Sequence, residues 1–100
     1  MTEEVPARVR VLWEAARITC GDRNATYGSP VDNMAATAAL WSAFLGVPVT
    51  GAQVAVCMSL LKIARLKTSP AHEDSHVDGA CYLAIACECA KAAQDDVPAA

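Results

Sequence analysis

Two apolar runs flank a polar island in the second half of the chain. Residues 52–61 read AQVAVCMSLL and residues 79–87 read GACYLAIAC, both without a charge. Between them KIARLKTSPAHEDSHVD carries Lys62, Arg65, His72, Asp74, His76 and Asp78. Apolar runs of this length, punctuated by Gly, Pro and capping residues, read as helices, and four are expected. The first spans about 5–19, with Pro6 in its first turn and Gly21 as its stop; Val5, Val9, Leu12, Trp13 and Ala16 follow the spacing of one face. The second spans about 30–45, with Ser29 as N-cap, Pro30 at the first helical position, Asp32 in the first turn and Gly46 at the end.

A third helix is expected over 51–67, because Thr50-x-x-Gln53 has capping-box spacing and Ser69-Pro70 breaks the helix beyond it. A fourth is expected over 74–93, with Gly79 inside it marking the close approach of another backbone, and with 94–100 as a frayed tail. No alternation typical of a strand is present. The pattern predicts one all-α domain, a four-helix bundle.

Composition changes this picture in two ways. The chain is 54% hydrophobic but only 5% aromatic, so its core must be built from Ala, Val and Leu, and some apolar surface is expected to be covered by a further subunit in a homodimer or higher homo-oligomer. A net charge of −3 argues against binding a DNA or RNA backbone. No apolar run reaches the length of a membrane span and the N-terminus begins acidic, so neither a span nor a signal peptide is expected and the cytoplasm is the expected location. Five cysteines without a CxxC pair read as core residues rather than as zinc ligands or a disulfide set.

The candidate chemistry lies in the island and in one loop. A short joint makes the third and fourth helices antiparallel neighbours, so Lys62 and Arg65 at the end of one face the start of the other. Asp74 and Asp78, four apart, fall on one stripe that continues into Cys81, Tyr82 and Ile85. Carboxylates on such a face are paired, hydrogen-bonded or metal-bound; either they bridge to Lys62 and Arg65, or they hold Mg²⁺ while the cations meet phosphates. His72 and His76 could serve as acid–base groups or metal ligands, though such residues more often cap a helix or sit exposed in a loop. The joint at 20–29, CGDRNATYGS, carries Arg23, Asn24 and Tyr27, an arginine and a ring suited to a phosphate and a base, or else a polar surface turn.

The string Asp22-Arg23-Asn24-Ala25-Thr26-Tyr27-Gly28-Ser29-Pro30, with Leu61-Lys62-Ile63-Ala64-Arg65-Leu66 and Asp74-Ser75-His76-Val77-Asp78-Gly79-Ala80-Cys81-Tyr82, resembles a family of small all-α bacteriophage and prophage proteins, especially of actinobacterial phages. More distantly, that family is similar to the MazG and dimeric dUTPase group of nucleoside triphosphate pyrophosphohydrolases. The resemblance implies a MazG-like helical bundle completed by oligomerisation. It also implies Mg²⁺-dependent cleavage of a small nucleotide between its α- and β-phosphates by an activated water. Asp74 and Asp78 would then stand for the ExxD pair that binds the metal, Lys62 and Arg65 would contact phosphates, and Arg23, Asn24 and Tyr27 would meet the nucleotide. The ExxE pair that such enzymes carry on the preceding helix has no counterpart here, since 51–67 holds no carboxylate. A protein that binds a nucleotide without cleaving it, or a structural oligomer with a salt-bridged end, therefore stands beside the hydrolase.

Overall fold

A computed structural model describes residues 5–21 and 28–95. Its elements are α1 (Ala7–Thr19), α2 (Pro30–Leu45), α3 (Gly51–Ala64), a 3₁₀ turn (Arg65–Lys67) and α4 (Glu73–Asp95), and no strand occurs among the described residues. The expected all-α architecture of four helices is borne out.

The boundaries arise from local chemistry. The Ser29 hydroxyl accepts the Asp32 N–H (3.1 Å) to cap α2, with Pro30 at its first position. Gly46 ends α2 at φ 74°, a left-handed conformation that costs glycine little. The capping box at the start of α3 is complete: Gln53 N–H donates to the Thr50 hydroxyl (3.1 Å), and Thr50 N–H donates to Gln53 Oε1 (3.0 Å). Ser42 holds the link between these helices, its hydroxyl donating to Ala38 O (2.7 Å) and accepting from Val49 N–H (2.8 Å). Three helices differ from expectation at their ends. α1 begins at Ala7, with Pro6 as its N-cap rather than in its first turn. α3 tightens into the 3₁₀ turn after Ala64 rather than running regularly to residue 67, and α4 begins at Glu73 and keeps residues 94 and 95 helical.

The contact between α3 and α4 is the most extensive; α1 packs on α4, and α2 lies against both α3 and α4. The buried Ser59 hydroxyl donates to the Gly79 carbonyl at 2.9 Å, which aligns α3 and α4 antiparallel. Around this seam Val54 and Ala55 are fully buried with Met34, Ala38, Ala86 and Cys89. A second cluster joins Ala15, Val77 and Cys81, and Ile85 packs against both. The buried side chains are mostly small: Ala and Val take the expected part, but Met34, Cys81 and Cys89 stand where leucine was expected, and no leucine among the described residues is buried.

α1 is turned relative to the expected face. Val11, Ala15 and Ile18 pack inward, whereas Leu12 and Trp13 are 62% and 63% exposed. The two apolar arcs of α1 lie roughly 140° apart around its axis. The inward one presents Ala15, small enough for close packing, and leaves Arg10 placed to reach Glu73 at the start of α4 (3.0 Å).

Gly79 is also placed differently from the expectation of backbone against backbone. Its neighbours are the Ser59, Ile63 and Lys62 side chains, and a methyl group there would lie 3.7–3.9 Å from them, at ordinary contact. Gly79→Ala is therefore predicted to raise stability by up to about 1 kcal/mol, the helix-propensity difference, read as a higher Tm by circular dichroism. By contrast, Thr50→Ala should cost about 1 kcal/mol through the lost cap, lowering Tm by roughly 4–8 °C.

Candidate functional site

One end of the α3–α4 seam opens into a cavity of about 120 Å³. The last turn of α1 supplies Ile18 and Thr19; Gly28 and the start of α2 supply Pro30, Asn33 and Met34; α3 supplies Lys62; and α4 supplies Asp78, Cys81, Tyr82 and Ile85. All four helices meet at this cavity.

Its electrostatic centre is the ion pair between Lys62 Nζ and Asp78 Oδ2 at 3.1 Å. Lys62 stands in the last turn of α3 and Asp78 near the start of α4, so each faces the helix end that favours its charge. The lysine side chain is 17% exposed and the aspartate 38%, so the aspartate retains access to water and to a ligand. Tyr82 is half-buried one turn further along α4, and Asn33 is exposed at the mouth. A cation, an anion, an amide and a phenol thus converge on one small space. Such a set can accept and donate hydrogen bonds to a compact polar ligand.

The expected site residues divide into three groups. Lys62 and Asp78 come together at the cavity. Arg65 and Asp74 do not line it: both are exposed, Arg65 on the 3₁₀ turn and Asp74 in the first turn of α4, and no ion pair among the described residues engages either. Asp74 and Asp78 are near neighbours around the helix axis but one turn apart along it, and only Asp78 reaches the cavity wall. The expected inward stripe thus begins at Asp78. Arg23, Asn24 and Tyr27 lie outside the described residues; the described residues Thr19 and Gly28 line the cavity. Sequence reasoning passed over Ile18 and Thr19, whose signal is their place in the last helical turn before the loop.

Several other ionisable groups are engaged away from the cavity. Glu73 pairs with Arg10, and Glu14 pairs with Arg17 on the exposed side of α1, where that hydrogen bond holds the Glu14 carboxyl below its ordinary range and raises Arg17. His76 Nε2 donates to the Pro70 carbonyl (2.8 Å), and His72 Nδ1 shares a hydrogen bond with the buried Ser75 hydroxyl (2.8 Å). Both histidines thereby brace the α3–α4 joint. Cys81 and Cys89 are buried, and burial, aided by Glu88, pushes the Cys89 thiol up. Cys20, at the start of the polar joint, is exposed; Cys57 and Cys87 are exposed too, against the expectation that the cysteines in apolar segments are core residues.

Among the described residues no three His, Cys, Asp or Glu side chains gather as a metal-holding group. The cavity wall offers one carboxylate, already bridged to an ammonium, so these residues do not by themselves make a magnesium site. No helix among the described residues is long and apolar enough to cross a membrane.

Comparison with known proteins agrees with the expected phage family. The Gene 55 protein of Mycobacterium phage D29 is 42% identical over 72 residues, covering 72% of this chain and 48% of the phage protein. The Gene 55 protein of Mycobacterium phage L5 is 41% identical over 76 residues, covering 75% and 49%. The chain thus spans about half the length of these relatives. No solved structure matches it. Residues 10–90 match the domain of unknown function DUF6378, and at that coverage the chain belongs to the DUF6378 family.

Proposed function

We propose that this chain binds a small nucleotide at the four-helix cavity. The observation that carries the reading is the Lys62–Asp78 pair, set in the cavity wall at 3.1 Å beside Tyr82 and Asn33. A nucleotide combines a planar base, hydroxyls and phosphates. Lys62 supplies an ammonium for a phosphate, Asp78 an acceptor for sugar hydroxyls or base N–H groups, and Tyr82 a ring. Arg23, Asn24 and Tyr27, which lie in the chain between the cavity residues Thr19 and Gly28, would add phosphate and base contacts.

Cleavage is the second reading: a MazG-like, Mg²⁺-dependent pyrophosphohydrolase. Asp78 on the cavity wall favours it, and so does the motif resemblance around Asp74 and Asp78. Because the described residues offer a single carboxylate there, the metal would have to arrive with the nucleotide and complete its shell with phosphate oxygens and water. The described residues leave that metal site incomplete, so binding leads and turnover stands second.

A thermal-shift panel of nucleoside mono- and triphosphates and cyclic nucleotides, each with and without Mg²⁺, tests both readings. Ligand at a hundred times its dissociation constant adds about 2.7 kcal/mol, a rise in Tm of about 10 °C or more. A metal-independent rise is the expected result for a binder. A rise that needs both a triphosphate and Mg²⁺, with pyrophosphate released, moves the assignment to the hydrolase. No rise with any nucleotide sinks the proposal and leaves the ion pair a structural bridge.

Substitutions at the pair give an independent check. Lys62→Met should weaken the nucleotide identified in that panel by roughly 10–100-fold, the loss of one charge-assisted hydrogen bond, with the unliganded Tm changed by only a few degrees. Asp78→Asn should likewise act mainly on affinity. If both variants lose stability while titration calorimetry finds affinity intact, the pair holds helices and not ligand.

A further inference from the structure

Proteins hold polyphosphates with several cations, or with a run of free backbone N–H groups at a turn and helix start. Among the described residues the cavity has neither. Lys62 is the one cation in its wall, and its ammonium already meets Asp78 Oδ2 at 3.1 Å. An ammonium has three N–H donors, so those left after Asp78 suffice for the oxygens of one phosphate. The other described cations stand away from the wall. Arg10 and Arg17 pair with Glu73 and Glu14, Arg65 and Lys67 are exposed on the 3₁₀ turn, and Lys91 borders a separate cleft beside Glu88. In sequence the segment 22–27 holds one cation, Arg23, and one anion, Asp22, and so adds no net charge.

The start of α2 borders the cavity through Pro30 and Asn33, yet it has little left to offer an anion. Pro30 has no N–H. The Asp32 N–H donates to the Ser29 hydroxyl (3.1 Å), and the Asn33 N–H donates to the Ser29 carbonyl (3.0 Å). Asp32 also sets a carboxylate in that first turn. Lys62 lies in the last turn of α3, so the negative end of that helix's dipole falls on the same side as the Asp78 carboxylate.

On the nucleotide reading of the cavity, on which this rests, we infer that the ligand carries a single phosphate: it is a nucleoside monophosphate rather than a triphosphate. A terminal phosphate brings about −1.5 to −2 charge and three acceptor oxygens to Lys62. In a triphosphate the phosphate next to the sugar has given one of those oxygens to its neighbour. The further phosphates then add charge beside Asp78 with no counter-charge to meet it, and like charges set together weaken binding.

The test is titration calorimetry of the unmodified chain with the nucleosides, 5′-monophosphates and 5′-triphosphates of adenine, guanine, cytosine and uracil, the triphosphates with and without Mg²⁺. For the base that binds, the monophosphate should be tighter than both its nucleoside and its triphosphate by roughly 10-fold or more, the value of one charge-assisted hydrogen bond. A triphosphate as tight as its monophosphate, with or without Mg²⁺, overturns the single phosphate and leaves the cavity a nucleotide site. A nucleoside as tight as its monophosphate overturns it too. No heat from any of them removes the nucleotide reading, and the single phosphate with it. Asp78→Asn supplies a readout that a purely structural bridge would not move. Without the carboxylate the wall is left net positive, so the preference for monophosphate over triphosphate should shrink by roughly 10-fold. An unchanged preference in a variant shown to be helical by circular dichroism refutes the charge account.

Discussion

Everything in this fold depends on the contact at which Ser59 donates its hydroxyl to the Gly79 carbonyl. A buried hydroxyl without a partner would cost free energy, so the bond fixes not only that α3 and α4 touch but where along their lengths they do. With that register set, Lys62 meets Asp78 and the Val54–Ala55 segment meets Ala86 and Cys89. α1 and α2 then pack on a platform whose spacing is already decided. The cavity is the space left where four helix ends fail to close over it.

That space carries a balanced charge. The ammonium and carboxylate that line it neutralise one another at 3.1 Å, so a ligand entering there does not meet a field of one sign. It meets two groups whose partnership it must share or displace, which favours ligands able to donate and accept at once. The same pair ties α3 to α4, and a bound molecule that engages both groups strengthens the seam it sits on.

Helix caps were the most legible features of the chain. Ser29-Pro30, Gly46 and the Thr50–Gln53 box act through neighbours three or four residues away, and local chemistry is written in local sequence. The facing of α1 was not legible, since two apolar arcs compete on it and the choice rests on Ala15 fitting against Val77 and Cys81, residues more than sixty positions distant. For the site, Lys62 and Asp78 could be read from helix pairing, whereas the separation of Asp74 from Asp78 could not. Angular spacing around an axis says nothing about how far along it a cavity extends, and this one takes in Asp78 but not Asp74.

The smallness of the buried residues has its own consequence. Alanine gives up almost no rotamer freedom on burial, and serine and cysteine give up little, so a seam made of Ser59, Ser75, Ala55 and Ala86 is ordered cheaply compared with one of long side chains. Its weakness lies in the opposite direction. Side chains this short have few ways to rearrange around an added atom, so enlargement at the fully buried Ala55 presses on the helices themselves. Because α3 and α4 both line the cavity at their shared end, a substitution that parts them acts on the cavity as well as on the core.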